Sequence, residues 1–220
     1  MNVILFGATG MVGGGVLREC LLDPDVQRVV SVVRAATGQQ HPKLRELVHR
    51  DFHDFSSVEG ELSGLDACFF CLGVTSAGKS EAEYTSVTYG ITVAAAEPLA
   101  RLNPGMTFIF VSGASSDSSE KGRVMWARVK GKAENAVLRL PVAASYVFRP
   151  AFIRPLHGVT SRTWGYRVAL TLTKPLLPLI VQRFPKYATT TEQIGRAMLG
   201  VVRHGAPKRV LESEDINAVR

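Results

Sequence analysis

Short apolar runs alternate along the first 150 residues with stretches whose apolar positions recur every three or four residues, which predicts strands and helices in turn. Val3–Phe6 is an apolar run closed by Gly7 and reads as a strand. Val12–Leu22 has apolar residues at helical spacing and stops near Asp23-Pro24. Arg28–Val33 is β-branched and reads as a second strand. Leu44–Val48 fits a short helix or an extended segment, His49–Phe52 a further short strand, and Phe55–Leu62 a weak helix. Ala67–Leu72 is a strand, and Glu81–Leu102 is a long helix ended by Asn103-Pro104-Gly105. Met106–Ser112, Val124–Leu140 and Ser145–Phe148 follow as strand, helix and strand. Repeated β-α-β units with short connections predict an α/β fold, a doubly wound parallel sheet of Rossmann type with helices on both faces.

The pattern changes after residue 150. Pro155-Leu156-His157-Gly158 is loop chemistry, and Thr160–Val181 reads as one or two apolar helices broken by proline. Thr190–Arg203 is a helix with Thr190 as N-cap and Gln193 as its capping-box partner. Arg209–Leu211 reads as a last strand. Residues 151–220 are too few for an independent domain. The chain therefore reads as one dinucleotide-binding domain over 1–220, in which 151–220 supply a small helical cap on the substrate side.

Composition changes this picture little: 46% apolar and 20% charged residues supply a core and exclude a disordered chain. The net charge of +7 raises the question of nucleic acid, yet no run of five like charges occurs. Arg34, Arg123, Arg128, Lys130, Lys132, Arg183 and Lys186 are dispersed, so the excess reads as a solvated basic surface with no nucleic-acid partner. Of the three cysteines, Cys68 and Cys71 form a C-x-x-C inside a predicted buried strand. Residues three apart on a strand face opposite ways, so these read as packed thiols rather than a redox or metal pair. With a start that lacks a basic leader, unpaired thiols predict a reducing, cytoplasmic setting. Trp164 to Phe184 is apolar but contains Arg167, Lys174, Pro175, Pro178 and Arg183, which argues against a spanning helix. That stretch reads first as a lid or internal packing, then as a dimer contact, and last as a membrane-surface contact. The oligomeric state is left open.

The chemistry-bearing signal is Gly7-Ala8-Thr9-Gly10-Met11-Val12-Gly13, which leaves the first strand and opens the first helix. Gly7 permits the tight turn, Gly10 lets the backbone approach a pyrophosphate, and Gly13 lets helix and strand pack closely. Free amides along Thr9, Met11 and Val12 then face the anion, aided by the helix dipole. Gly14 and Gly15 fall outside the motif, with no role visible in the sequence. The end of the second strand meets the adenine ribose in such folds, and an acid there selects NAD(H). Here the strand ends Val32-Val33-Arg34. A guanidinium makes charge-assisted bonds to a 2′-phosphate and stacks on adenine, which favours NADP(H) over NAD(H).

With these residues assembled, the chain resembles an atypical short-chain dehydrogenase/reductase, of the NAD-dependent epimerase/dehydratase-like kind. It is most similar to the small Tat-interacting oxidoreductase-like group. The resemblance implies that Asp51 and Phe52 flank the adenine, and that Leu72 and Gly73, after Cys71, run into the nicotinamide side. It implies that Ser112, ending Phe110-Val111-Ser112, is the catalytic serine, and that Arg149-Pro150 precedes the substrate segment. It also implies a tyrosine four residues before a lysine on one helix face, the lysine gripping the nicotinamide ribose and lowering the tyrosine's pKa. In Trp126-Ala127-Arg128-Val129-Lys130 the lysine is present as Lys130, but Trp126 stands at the tyrosine position. An indole N–H donates a hydrogen bond but is no acid or base near neutral pH. Ser112, Tyr84, Tyr89, His157 and a water relayed by Lys130 stay open as substitutes, with His157 reading first as a solvated loop residue.

No G-x-S-x-G or H-E-x-x-H occurs, and His41, His49, His53, His157 and His204 form no facing pair at helical spacing, so no metal is expected. Three functions remain. The first is an NADP(H)-dependent oxidoreductase acting on a small carbonyl or alcohol substrate. The second, favoured by Trp126, is a non-catalytic NADP(H) binder that senses redox state or regulates a partner protein. The third, an isomerase or epimerase using the bound cofactor, needs the same missing proton transfer.

Overall fold

The computed structural model describes residues 1–159 and 186–219. The apolar helices expected over Thr160–Val181 lie outside the described residues. The elements in chain order are β1 (Asn2–Phe6), α1 (Met11–Leu22), β2 (Arg28–Val33), β3 (Leu44–Val48), a 3-10 turn (Ser56–Glu61) and β4 (Ala67–Phe70). Then come α2 (Glu81–Thr85), a π turn (Ser86–Gly90), α3 (Ile91–Leu102), β5 (Thr107–Val111), α4 (Met125–Leu138) and β6 (Ala144–Arg149). The described part after residue 150 holds β7 (Phe152–Arg154), β8 (Ala188–Thr190), α5 (Thr191–His204), β9 (Val210–Glu212) and α6 (Ser213–Ala218).

Seven strands form one sheet in the order β3-β2-β1-β4-β5-β6-β9, and every neighbouring pair is parallel. The chain runs outward from β1 to β3, then crosses back to place β4 on the other side of β1. Winding therefore reverses between β1 and β4, the place where open α/β sheets hold ligands. Alternation along the strands builds two cores. Val3, Leu5, Phe69 and Ile109 face α1 and α5, while Ile4, Phe6, Phe70, Phe108 and Phe110 face α3 and α4. Both faces are covered, which is why these strands are continuously apolar.

Of the two readings of Leu44–Val48 the structure takes the extended one: it is a strand, paired along its length with β2 from Val29↔Leu44 to Val33↔Val48. Other expectations need correction. His49–Phe52 is a connection rather than a strand, and Phe55–Leu62 shrinks to the 3-10 turn. The long helix is continuous in space but interrupted by the π turn. Thr190 Oγ1 accepts from Gln193 N at 2.9 Å, as an N-cap should. Gln193 does not close the capping box, because its Nε2 donates to the carbonyls of Ile216 and Val219 at 3.0 and 3.2 Å and ties down α6.

The described C-terminal residues do not merely rest on the sheet. β9 is its seventh strand, and α5 lies along α1 in the same helical layer. Small residues allow that approach. A Cβ on Gly15 would come within 2.5 Å of Thr191 Cβ, and one on Gly195 within 2.7 Å of Glu19 Cγ. Gly14 faces Val159, whose Cγ1 would be 3.0 Å from an added Cβ. The two glycines outside the nucleotide motif are thus packing residues between α1 and the C-terminal segment.

Candidate functional site

The C-terminal ends of β1, β2, β3 and β4 open onto one cavity of about 640 Å³ at the winding reversal. Gly7, Thr9 and Gly10 form its floor. Gly7 turns the chain with φ +83°, and a Cβ there would lie 2.8 Å from the carbonyl carbon and oxygen of Cys71. Only glycine meets both demands. Gly10 N donates to Gly7 O at 2.9 Å, closing the turn. Gly13 lies behind the turn, where an added Cβ would be 2.1 Å from Gly7 O. A Cβ on Gly10 would meet nothing nearer than Gly7 O at 3.2 Å, so this residue is open toward the cavity. Gly10 is also the N-cap of α1 and offers no side-chain cap, and the first turn carries no acid. The first-turn amides, Met11, Val12 and Gly13 among them, are thereby left for an anion. Met11, Val12 and Gly13 are not themselves in the cavity wall.

One side of the cavity is basic. Arg34 follows β2 and Arg50 follows β3, and both line it. The register Val33↔Val48, continued by His49 N donating to Val33 O at 2.8 Å, brings the two arginines out of adjacent strand ends. Among the described residues neither meets a carboxylate, whereas Arg45, Arg101 and Arg128 pair with Glu61, Glu59 and Glu81. Asp51 and Phe52 line the same side. The Asp51 carboxylate accepts from His53 N at 2.9 Å, and the Phe52 ring packs edge-on to Phe6 with centroids 6.4 Å apart. His49 is structural, since its Nε2 reaches the carbonyls of Asp51 and Asp54 at 2.5 and 2.8 Å and so holds the turn.

Leu72 and Gly73 line the opposite side with Cys71, Val74 and Thr75. Cys71 packs toward the α1 core and Cys68 toward the α3 core, on opposite faces of the strand; all three cysteines are free thiols. Burial pushes the Cys68 and Cys71 thiols above the ordinary range. Val87, within the π turn, and Ile91, just after it, complete the wall, in keeping with the frequent placement of such turns at functional sites. Arg50, His53 and Thr75 were not picked out from the sequence. For Arg50 the missing signal was the β2–β3 register, which an ambiguous reading of Leu44–Val48 hid.

The residues expected to carry catalysis are not in the cavity wall. Ser112 is buried just beyond β5, with its Oγ 2.9 Å from Ser116 Oγ. Ser116 Oγ gives its own proton to Gly113 O at 2.8 Å, so Ser112 must be the donor in that pair. Trp126 is half-buried in the first turn of α4. Lys130 follows one turn later, with Nζ 5.9 Å from the centre of the Phe110 ring. Burial pulls the Lys130 ammonium down to about 8, opposed by Glu134. Glu134 is wholly buried and engaged by Arg149, whose Nε donates to Oε1 at 3.1 Å and whose Nη2 holds Oε2.

The proposed substitutes for tyrosine are occupied elsewhere. Tyr84 is buried, which raises its phenol, and Tyr89 lies under the Lys132 ammonium at 4.4 Å from the ring centre. His157 is exposed, has φ +54°, and pairs through Nε2 with Glu192 Oε2 at 2.5 Å. Among the described residues no group of three metal-type ligands occurs, and no helix is long and apolar enough to cross a membrane.

No protein-family model matches the chain. It is 30% identical over 178 residues to the mitochondrial protein fmp52-1 of Aspergillus terreus, covering 75% of each chain. It is 26% identical over 206 residues to the mitochondrial FMP52 protein of Meyerozyma guilliermondii, covering 90% of this chain and 84% of that one. Among solved structures, the Bordetella bronchiseptica enzyme WbmF in complex with NAD+ superposes with a TM-score of 0.67 at 14% identity, covering 98% of this chain and 76% of that one. The oxidoreductase ylbE of Lactococcus lactis gives a TM-score of 0.65 at 16% identity, covering 96% and 90%. At such identities the likeness shows the fold, and the fold is the Rossmann type.

The expected cytoplasmic setting is overturned, because the curated relatives are named as mitochondrial proteins. Unpaired cysteines tell only that the fold does not need disulfides; they do not name a compartment. By its identity to the Aspergillus terreus protein over most of both chains, this chain belongs to the FMP52 family.

Proposed function

We propose that this protein binds NADP(H) in the cavity at the winding reversal and acts as an oxidoreductase on a small carbonyl or alcohol substrate. The observation that carries the reading is the pair Arg34 and Arg50, two cations without a carboxylate partner among the described residues, lining a cavity whose floor is an uncapped helix start. The donor set fits the group. Backbone amides of the glycine turn bind the diphosphate, and the two guanidinium groups bind the 2′-phosphate. Asp51 and Phe52 flank the adenine, and Leu72 and Gly73 border the nicotinamide. Lys130 holds the ribose next to the nicotinamide, Ser112 orients the substrate oxygen, and residues 151–220 supply the substrate side. When bound, the cofactor supplies or accepts the hydride.

Arg34→Asp tests this reading. Losing a charge-assisted hydrogen bond costs about 2 kcal/mol, or roughly 30-fold in affinity. NADPH binding should weaken by that amount or more, with NADH nearly unaffected. Equal loss for both coenzymes contradicts the assignment of the 2′-phosphate site.

Trp126 supports a second reading, a non-catalytic NADP(H) binder that senses redox state or regulates a partner protein. Under it, NADPH binds but is oxidised by no aldehyde, ketone or quinone, and Trp126→Tyr restores nothing.

A further inference from the structure

We propose that His53 selects the base of the coenzyme, its imidazole N–H donating to adenine N1 beside the Asp51 carboxylate. The inference rests on the coenzyme reading above. It begins from the polar side chains of the cavity wall. Under that reading Arg34 and Arg50 take the 2′-phosphate, and Thr9 belongs to the glycine turn on the floor. Thr75 Oγ1 accepts from Ala77 N at 3.2 Å, and Asp51 Oδ1 accepts from His53 N at 2.9 Å. His53 lines the same cavity, and among the described residues neither of its ring nitrogens has a hydrogen-bond or ion-pair partner.

The connection after β3 fixes where that ring stands. His49 Nε2 bonds the carbonyls of Asp51 and Asp54, and the Asp51 carboxylate holds His53 N, so the turn is set by its own bonds. The Phe52 ring is turned into the core, edge-on to Phe6 and Phe55 with centroids 6.4 and 5.9 Å away. His53 instead reaches across to the π turn. A Cβ built on Gly90 would lie 3.4 Å from its Cε1 and 3.6 Å from its Nδ1. Val87 of that turn and Ile91 just after it line the cavity as well. The imidazole thus joins the arginine side of the cavity to its apolar wall.

The parts of the coenzyme divide over these groups. The diphosphate goes to the uncapped amides and the 2′-phosphate to the two arginines. The base is carried by the same ribose as that phosphate, so it falls in the adjoining space, between the His53 connection and the π turn. Val87 and Ile91 offer apolar contact to its faces. Its edge is polar, and a polar edge left without partners is costly to bury. Among the described residues the second Asp51 oxygen is an unused acceptor, and the imidazole supplies a donor beside it. Acceptor next to donor complements adenine, whose N6 amino group donates and whose N1 accepts. A 6-oxopurine presents the opposite pattern, an oxygen acceptor and an N1–H donor, and is disfavoured.

The test measures the affinity of the full chain for NADP+ and for etheno-NADP+. In the second ligand a bridge across N1 and N6 removes both edge bonds and leaves the diphosphate, the riboses and the 2′-phosphate intact. His53 is exposed, so substitutions there leave the fold in place. His53→Phe keeps a ring against Gly90 without an N–H, and His53→Gln keeps a donor. His53→Phe should weaken NADP+ binding by about fivefold, the usual worth of one hydrogen bond, and leave etheno-NADP+ within about twofold of the native value. His53→Gln should recover most of that loss. Unchanged NADP+ affinity in His53→Phe overturns the proposal, and so does an equal loss for both ligands, the mark of a ring that only packs. A native protein that binds etheno-NADP+ as tightly as NADP+ overturns it too. A native protein that binds neither ligand overturns the coenzyme reading itself, and the role of His53 with it.

Discussion

Gly10 and Gly13 sit three residues apart and answer to different constraints. A methyl on Gly13 would run into Gly7 O at 2.1 Å, a backbone atom with no room to yield, whereas one on Gly10, which lines the cavity, would stand 3.2 Å from the same oxygen, a tight contact that a shift of a few tenths of an ångström relieves. Gly13→Ala should therefore cost about 3 kcal/mol of stability, at the upper end of overpacking penalties. Gly10→Ala should fold almost normally and lose at least about tenfold in NADPH affinity, as the backbone can no longer approach the diphosphate. Thermal unfolding and nucleotide titration of both variants separate the two effects. Lys130 has its own signature. Its ammonium is lowered from 10.5 to about 8 by burial, so between those values the unfolded chain holds more protons than the folded one. Stability contributed by this residue therefore rises with pH across that window, and below it the burial cost is paid in full. Lys130→Met should be more stable than the native protein near neutral pH, with the gap closing toward pH 10.5. A gap that does not change with pH counts against the buried ammonium. At this scale the places of the glycine turn and Arg34 at the cavity were legible, because each follows directly on a strand. Arg50 was not, because its meaning comes only from the neighbour it meets.

The elements explain that difference. β1, β2, β4, β5 and β6 are dense apolar runs, readable because both sheet faces are buried. β3 is an edge strand with a mixed sequence, Leu-Arg-Glu-Leu-Val, and half of a helical period fits it equally well. Once it pairs with β2, its end must deliver Arg50–His53 to the same cavity as Arg34. The roles of Gly14 and Gly15 were likewise invisible until α5 was placed against α1. Their close contact makes a prediction. Gly15→Ala would press on Thr191 at 2.5 Å, with the Thr191 carbonyl oxygen at 2.9 Å. The expected cost is about 3 kcal/mol, a fall in Tm of roughly 6–12 °C for a chain of this size. Gly105→Ala, with nothing within 4 Å, should change little. Similar Tm values for the two variants would contradict the α1–α5 packing.

For the whole molecule, the order β3-β2-β1-β4-β5-β6-β9 puts four strand ends around one cavity, with uncapped amides on its floor and two arginines on one side. The net charge of +7 adds a general attraction for a polyanionic ligand. None of this names a substrate, and the fold alone serves both oxidoreductases and epimerases. What the proposed function commits to is a phosphorylated pyridine coenzyme at the reversal. Isothermal titration calorimetry of the full chain with NADPH, with NADH as comparison, tests that commitment most directly. The account predicts saturable one-to-one binding of NADPH, tighter than that of NADH. No heat with either coenzyme at millimolar concentration would contradict it.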